Sequence, residues 1–387
     1  MYMRVLMTVN TYRPNLDGVQ FVTSYLAEGL ASRGHQVDVI TYADKRLPAE
    51  EAINGVHVRR WDAATVHMFH RGDKKGYRDY LLSHQSDYDV LMQVGTQSAM
   101  TDWALPVLKQ LRIPKALHIH SVWDFKVHPY DRDSARRLLQ KLIGNVRWAY
   151  HFFWNRRHFA RYDRILQLHE KDYSVPFMKR LCGKDSEILT NAVEDAFFHS
   201  GSKGADGHTV VYVANYSDMK NQKAAVDVFD KADLPQHWKL VLIGAKENGY
   251  VRELREMAER LRREKNRKIE ILVGMSREET IRRVRDADVF LMPSRREAFP
   301  ISILEAMAAK TPFISTDVGI VKYLPGGIVT NDPQAQVSSL QRLALDAAER
   351  MRLAEEGYQY ASRHAVIDAK VQQLEQTLQE LISRGNG

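Results

Sequence analysis

Short apolar runs rich in β-branched residues recur along the chain, each separated from the next by enough residues for a helix. Between the first two runs, residues 20–32 carry their apolar side chains at helical spacing. This alternation favours parallel, doubly wound sheets. We predict strands at residues 5–9, 37–41, 56–60, 90–94, 116–120 and 165–168, and again at 210–214, 240–243, 269–273, 289–292 and 313–315.

The two series of strands predict two α/β domains. Residues 199–207 between them are small and polar without periodicity, which is typical of a linker. We therefore divide the chain into a domain at 1–190, a linker at 191–207, a domain at 208–363 and a C-terminal helix at 364–387. The apolar residues of that helix form one stripe, and we expect it to pack back toward the N-terminal domain.

The composition excludes several classes of protein. The 387 residues suit two or three globular domains, and Cys182 is the only cysteine, so a disulfide scaffold and a thiolate zinc site are excluded. The single cysteine and the absence of about 18 consecutive apolar residues favour a cytoplasmic protein. The net charge of +8 favours an acidic partner, which could be a nucleic acid, an anionic lipid or a phosphorylated small molecule.

Common catalytic motifs are absent. No G-x-G-x-x-G follows a predicted strand, and the Walker, H-E-x-x-H, G-x-S-x-G and kinase patterns are missing, which argues against nicotinamide and P-loop chemistry. The aspartates of 131–133 and 286–288 could hold a divalent ion. We interpret the first pair as solvated and the second as the end of a helix, and we predict no metal site.

The segment 293–307 combines a strand end, a loop containing Pro300 and a helix over residues 301–309. In such a unit a ligand binds beyond the strand, and the helix N-terminus favours a phosphate. Glu297 and Glu305 would suit hydroxyl groups on two parts of one ligand, such as a sugar and a ribose. A capping acid and a solvated helical glutamate explain the same pattern equally well.

The residues P-S-x-x-E-x-F-x-x-x-x-L-E-A-M-A at 293–308, followed by T-P-F-I-S-T-D-V-G, resemble the donor-site signature of family 4 retaining glycosyltransferases. The resemblance covers nearly the whole chain and is most specific at 289–319. It implies the GT-B fold, an α/β architecture with two Rossmann-like doubly wound domains facing across a cleft. The N-terminal domain would then bind the acceptor and the C-terminal domain the nucleotide sugar.

Other segments fit this resemblance. Residues 10–20 are similar to the family's glycine-rich loop against the donor phosphate and sugar, with Asp17 in place of the first glycine and Gly18 left to supply a permissive backbone. Residues 213–221 resemble the loop that holds the diphosphate: Lys220 keeps the cation, and Asn215 replaces the usual arginine. His35 matches a structural position of the family.

Two histidines need separate interpretation. His118 and His120 alternate on one predicted strand and so share a face. His120 aligns with the family's active-site histidine that contacts the donor sugar, whereas we read His118 as structural.

The resemblance implies retaining transfer from a nucleotide diphosphate sugar to a glycan or lipid-linked acceptor in polysaccharide or glycolipid biosynthesis, with no metal, cofactor or nucleic acid. A UDP-sugar is favoured and GDP-mannose is the alternative. Two other functions stay open: an epimerase or hydrolase on the same fold, and a non-enzymatic basic module. The catalytic candidates are His120, Lys220 and Glu297, and the donor-binding candidates are Asp17, Gly18, Asn215, Lys220, Gly244, Met275, Glu297, Ala298, Phe299, Pro300, Ile301 and Glu305.

Residues 134–164 combine arginines with aromatic residues. A helix of this composition suits a lipid headgroup layer, which would make the protein peripheral on the inner face of the cell membrane. Internal packing of the aromatic residues against the first sheet is the alternative, and both can hold at once.

Overall fold

The computed structural model describes residues 1–14, 18–66, 69–199, 201, 203 and 208–385. The chain divides into two compact units. Unit 1 comprises Met1–Thr190 and Asp368–Gly387, and unit 2 comprises Asn191–Ile367.

An eight-stranded sheet forms the centre of unit 1 in the order β3-β4-β2-β1-β7-β8-β9-β10. Its pairings are parallel except for the antiparallel edge pair β3 and β4. A separate antiparallel hairpin joins β5 and β6. The strands are β1 (Arg4–Thr8), β2 (Gln36–Tyr42), β3 (Glu50–Ile53), β4 (Val56–Trp61), β5 (Ala63–Val66), β6 (Phe69–Gly72), β7 (Val90–Val94), β8 (Lys115–Ile119), β9 (Arg164–Gln167) and β10 (Ser186–Ile188).

Unit 2 is built on a six-stranded parallel sheet in the order β13-β12-β11-β14-β15-β16. Its strands are β11 (Thr209–Val213), β12 (Lys239–Gly244), β13 (Lys268–Val273), β14 (Val289–Met292), β15 (Phe313–Ser315) and β16 (Gly327–Val329). Counted from the first strand of the unit, this order is 3-2-1-4-5-6, the arrangement of a doubly wound Rossmann sheet.

Helices connect the strands of both units. The helices are α1 (Gly18–Ser32), α2 (Lys74–Ser83), α3 (Ala99–Ala104), α4 (Ala135–Phe159), α5 (Ser174–Cys182), α6 (Gln222–Lys231), α7 (Gly249–Lys265), α8 (Arg277–Asp286), α9 (Ile301–Ala308), α10 (Pro333–Leu345), α11 (Ala347–His364) and α12 (Ile367–Gly385).

The C-terminal helix α12 belongs to unit 1 from Asp368 onward. Its predicted stripe, including Val371 and Leu378, is buried. A Cβ on Gly29 of α1 would lie 2.4 Å from Val371 Cγ2, so this glycine lets the two helices approach closely. His35 Nε2 lies 3.0 Å from Glu375 Oε1, and this contact agrees with the structural interpretation of His35.

The first part of the predicted linker packs within unit 2. Val193 pairs with Val366, and Phe197 is fully buried. The predicted linker positions 200, 202 and 204–207 lie outside the described residues.

All the predicted strands are confirmed to within one or two residues at their ends. The prediction that both aspartates of 131–133 are solvated is wrong, because Asp131 is buried and accepts a hydrogen bond of 2.8 Å from the backbone N–H of His128. As predicted, the helix α8 ends at Asp286.

Candidate functional site

The strands β11 and β14 are neighbours in the sheet of unit 2, and the chain leaves them in opposite directions along the sheet. In open α/β sheets, ligands bind outside the carboxyl ends of the strands at such a switch point. The loop 214–221 follows β11, and the loop 293–300 follows β14 and leads into α9. The geometry therefore puts two of the candidate segments side by side at the carboxyl ends of the strands.

An ion pair joins these two loops. Lys220 Nζ lies 2.7 Å from Oε1 and 2.8 Å from Oε2 of Glu297. The Glu297 side chain is 11% exposed and that of Lys220 is 30% exposed, so the pair lies at the edge of the protein interior where a ligand can reach the ammonium group. The structure thus brings together a cation and a carboxylate that the sequence separates widely.

Two buried hydroxyl groups support this pair. Ser294 Oγ donates to Glu297 Oε1 at 2.8 Å. The Tyr212 hydroxyl donates to the carbonyl oxygen of Lys220 at 2.8 Å and lies 2.7 Å from Ser294 Oγ. Burial and the charge of Glu297 hold the pKa of Tyr212 well above its usual value, so the phenol remains a donor.

The backbone of the Glu297 loop is supported by Gly319. This glycine has a φ of +55°, and a Cβ on it would lie 2.0 Å from the carbonyl oxygen of Ala298. The backbone N–H of Ile320 donates to the same oxygen at 3.1 Å. Only glycine allows both this backbone angle and this approach.

The loop then leads into α9 through three residues that are candidates for binding the sugar donor. Phe299 is 6% exposed, and its carbonyl oxygen accepts a hydrogen bond of 3.0 Å from Asn191 Nδ2. Pro300 caps the helix without a side-chain hydrogen bond, and Ile301 is its first residue. The first N–H groups of α9 therefore lack a capping side chain, and such groups attract an anion.

Glu305 of α9 is buried and paired. Its Oε1 lies 2.5 Å from Arg277 Nη2, and Arg277 Nε donates to Glu194 Oε2 at 2.7 Å. Burial acts to lower the pKa of Arg277, but Glu305 and Glu194 outweigh it and raise the pKa above its ordinary value. The two carboxylates therefore hold Arg277 fully charged.

The remaining candidates for binding the sugar donor in unit 2 lie at or just after the carboxyl ends of neighbouring strands. Asn215 is exposed just after β11, and its carbonyl oxygen accepts from Gln222 Nε2 at 3.1 Å. Gly244 ends β12, where a Cβ would lie 2.4 Å from the Tyr216 ring. Met275 is half-buried after β13. All three lie at the same edge of the sheet as Lys220.

The other candidates belong to unit 1. Asp17 lies outside the described residues. Gly18 begins α1, has no positive φ, and a Cβ there would meet no described atom within 4 Å, so the described structure does not itself require glycine at this position.

His120 follows the carboxyl end of β8, and its ring centroid lies 4.4 Å from that of His118. Both rings are buried, and Nε2 of His120 has no hydrogen-bond partner among the described residues. Burial, together with the neighbouring His118, holds the pKa of His120 well below its ordinary value. His120 is therefore a neutral imidazole with one nitrogen available.

Sequence reasoning missed several residues of this arrangement: Glu194, Tyr212, Arg277, Ser294 and Gly319. Ser294 and Gly319 lie inside the recognised motif and its extension, so their positions were visible in the sequence. No local pattern indicates that Arg277 meets Glu305, because their pairing depends on how α8 and α9 pack.

Two findings concern the described part of the chain as a whole. It contains no group of three or more His, Cys, Asp or Glu side chains arranged to hold a metal ion. Nor does any helix within it have the length and apolar character needed to cross a membrane.

Both units match family models of glycosyltransferases, and the two doubly wound sheets are those of the GT-B fold. Residues 17–172 match the family described as "Glycosyl transferase 4-like domain", and residues 193–360 match "Glycosyl transferases group 1". The chain belongs to the family 4 type of these glycosyltransferases.

Two curated relatives are similar over part of their length. A D-inositol 3-phosphate glycosyltransferase of Corynebacterium urealyticum is 34% identical over 29% of this chain and 27% of the relative. A GDP-mannose:cellobiosyl-diphosphopolyprenol alpha-mannosyltransferase of Xanthomonas campestris is 27% identical over 48% of this chain and 50% of the relative. The match thus spans half or less of the length of these relatives.

A solved structure extends the similarity to nearly the whole fold. The Anabaena protein HepE in complex with UDP superposes with a TM-score of 0.73 over 98% of this chain and 100% of that chain, at 16% identity.

Proposed function

We propose that this protein transfers a glycosyl group, with retention at the anomeric carbon, from a nucleoside diphosphate sugar to a glycan or lipid-linked acceptor. The observation that carries the proposal is the Lys220–Glu297 pair at the switch point of unit 2. It offers a cation for a diphosphate and a carboxylate for sugar hydroxyls at the edge where Rossmann sheets bind nucleotides.

In the transfer, the bond between the anomeric carbon and the diphosphate oxygen breaks, the acceptor oxygen bonds to that carbon, and the acceptor hydroxyl gives its proton to the departing diphosphate. Negative charge develops on the departing diphosphate. Lys220 and the uncapped N-terminus of α9 would stabilise that charge. Glu297 would accept hydrogen bonds from the donor sugar.

The paired state of Glu305 refines its proposed role. One carboxylate oxygen accepts from Arg277. The other oxygen would accept from the ribose, and the contact with Arg277 would hold the carboxylate in position for that hydrogen bond. The neutral imidazole of His120 would contact the donor sugar through Nε2.

For the donor, we propose a UDP-sugar, with GDP-mannose as the alternative. The HepE structures contain UDP or UDP-glucose, whereas the name of the Xanthomonas relative specifies GDP-mannose. The same name specifies cellobiosyl-diphosphopolyprenol, which supports a lipid-linked acceptor. We propose that the transfer serves surface-glycan synthesis at the cytoplasmic face of the membrane. We propose that the reaction needs no metal, so activity should survive EDTA.

The test is a thermal-shift screen of the full chain with UDP, GDP and their sugar conjugates. A ligand at about one hundred times its Kd adds about 2.7 kcal/mol to the stability of the native state. Lys220→Met should abolish the shift. The matched control is Lys265→Met, because Lys265 Nζ forms a similar pair, 2.8 Å from Asp230 Oδ2, at the end of α7 and the opposite edge of the sheet.

The absence of any shift at millimolar nucleotide would overturn the donor site and favour the non-enzymatic basic module. An epimerase or hydrolase would instead turn over the donor alone at the rate seen with acceptor. Product analysis with and without acceptor therefore separates these functions from transfer.

A further inference from the structure

One face of α4 in unit 1 carries large apolar side chains that are open to solvent. Its first half exposes Leu139, Leu142, Ile143 and Val146, between 47% and 73%. Its second half exposes Tyr150, Phe153 and Trp154, between 62% and 65%. These positions recur every three or four residues, so they form one stripe along the helix, which we call the α4 surface.

The opposite face of α4 is fixed to the protein. Phe152 is buried, and its ring lies 5.0 Å from that of Phe177 on α5. A Cβ on Gly144 would lie 2.5 Å from the Trp123 ring, so the helix backbone is in close contact with the segment after β8. The aromatic residues of this helix are therefore divided between a packed inner face and the exposed α4 surface.

A second element extends this surface. The β5–β6 hairpin exposes Val66 at 42% and Phe69 at 61%. The guanidinium of Arg147 on α4 lies 4.3 Å from the centre of the Phe69 ring. The hairpin is held by His70 Nε2, 2.8 Å from Asp102 Oδ2 on α3. Its apolar side chains thus lie beside α4 in a fixed position.

The charged side chains of α4 itself are all basic. Residues 134–162 contain no Asp or Glu. Exposed arginines lie at both ends of the apolar stripe, with Arg136 before Leu139 and Arg157 after Trp154. An apolar stripe with aromatic residues and flanking cations is the pattern of a helix that lies in a membrane interface, where arginine meets anionic headgroups.

We propose that the α4 surface binds an anionic phospholipid bilayer, with the helix axis parallel to the membrane plane. The inner face is occupied by protein, so only the exposed stripe can enter the lipid. Because the charged side chains of α4 are all basic, the bilayer that binds there should be anionic. The proposal deepens the proposed function, since it names the surface that would bring the enzyme to a lipid-linked acceptor, but lipid binding itself requires no donor.

The experiment is flotation of the full chain with vesicles of phosphatidylcholine alone or of equal parts phosphatidylcholine and phosphatidylglycerol. Wild type should float with the anionic vesicles, and the bound fraction should fall as salt is added. Val146→Glu and the double variant Phe153→Ser/Trp154→Ser should bind at least about tenfold more weakly. Met351→Glu is the matched control, since Met351 is 65% exposed on α11 of unit 2.

Three flotation results would overturn the proposal: no flotation with anionic vesicles at low salt, equal flotation with both vesicle types, or variants that float like wild type. A fourth would be a wild-type dimer that dissociates in the Val146→Glu variant. The last result would mean that a second copy covers the surface. The nucleotide thermal shift is measured on every variant, so loss of the fold or of the donor site is detected separately from loss of lipid binding.

Discussion

Lys220 Nζ lies within hydrogen-bonding distance of both carboxylate oxygens of Glu297, at 2.7 and 2.8 Å, although the residues are 77 positions apart. The two loops that carry them meet only because β11 and β14 are adjacent in the sheet. If a nucleotide sugar binds here as we propose, Lys220 would contact its diphosphate and Glu297 would contact its sugar.

The first prediction separates these two roles. Glu297→Gln removes the charge but keeps the shape, so we expect affinity for a sugar nucleotide to fall about tenfold or more, as for a lost charged hydrogen bond. Affinity for the free nucleotide should stay equal or rise, because Lys220 loses its competing partner. Calorimetric titration of both ligands measures this, and equal losses for the two would contradict a contact between Glu297 and the sugar.

The second prediction concerns the backbone support of the Glu297 loop. Gly319→Ala should destabilise the fold and weaken nucleotide binding, because its Cβ would lie 2.0 Å from the Ala298 carbonyl oxygen. Gly183→Ala is the control: its φ is +74°, but a Cβ there meets nothing within 4 Å, so only a backbone cost of about 1 kcal/mol is expected. Urea unfolding and nucleotide titration of both variants provide the comparison. If the two variants behave alike, close packing at Gly319 is unimportant.

The third prediction concerns the buried pair of Arg277 and Glu305. Arg277→Leu leaves the Glu305 carboxylate buried without this cation, and loss of one partner of a buried pair costs about 3 kcal/mol. Arg282→Leu on the same helix removes an exposed pair with Glu279 and should cost about 1 kcal/mol or less. Denaturant unfolding of both variants measures the difference, and similar costs would argue against a structural role for the Arg277 pair.

The fourth prediction follows from the burial of His118. Burial lowers the pKa of His118 to about 4, whereas in the unfolded chain its pKa is about 6.5. Between these values the unfolded chain binds the proton and the folded chain does not. The free energy of unfolding is therefore highest, with respect to His118, above about pH 6.5. It decreases as the pH falls toward about 4, by on the order of 3 kcal/mol in total.

The measurement compares urea unfolding of wild type and His118→Phe at pH 7 and pH 5. The free energy of unfolding should fall more for wild type, by about 2 kcal/mol, because burial lowers the pKa of His120 in both proteins and only wild type also carries His118. Equal losses in the two proteins would show that His118 titrates normally in the folded state.

The central strands were predictable because parallel strands covered on both faces read as continuous apolar runs, and 90–94 and 289–292 are examples. The strands β3, β5, β6, β10 and β16 were missed. β3 is polar and lies at a sheet edge, and β16 has three residues, so neither carries a clear periodic signal. The segment around Glu297 and Glu305 was visible because its residues are consecutive in the chain.

The sequence by itself determined the alternation of strand and helix, the motif that contains Glu297 and Glu305, and the presence of cations and aromatic rings in α4, because each is encoded within a short stretch of chain. Only the tertiary structure decided that Lys220 meets Glu297, that Arg277 meets Glu305 and which face of α4 stays exposed. These relationships depend on strand order and helix packing, which are set by contacts between distant residues and leave no local pattern to read.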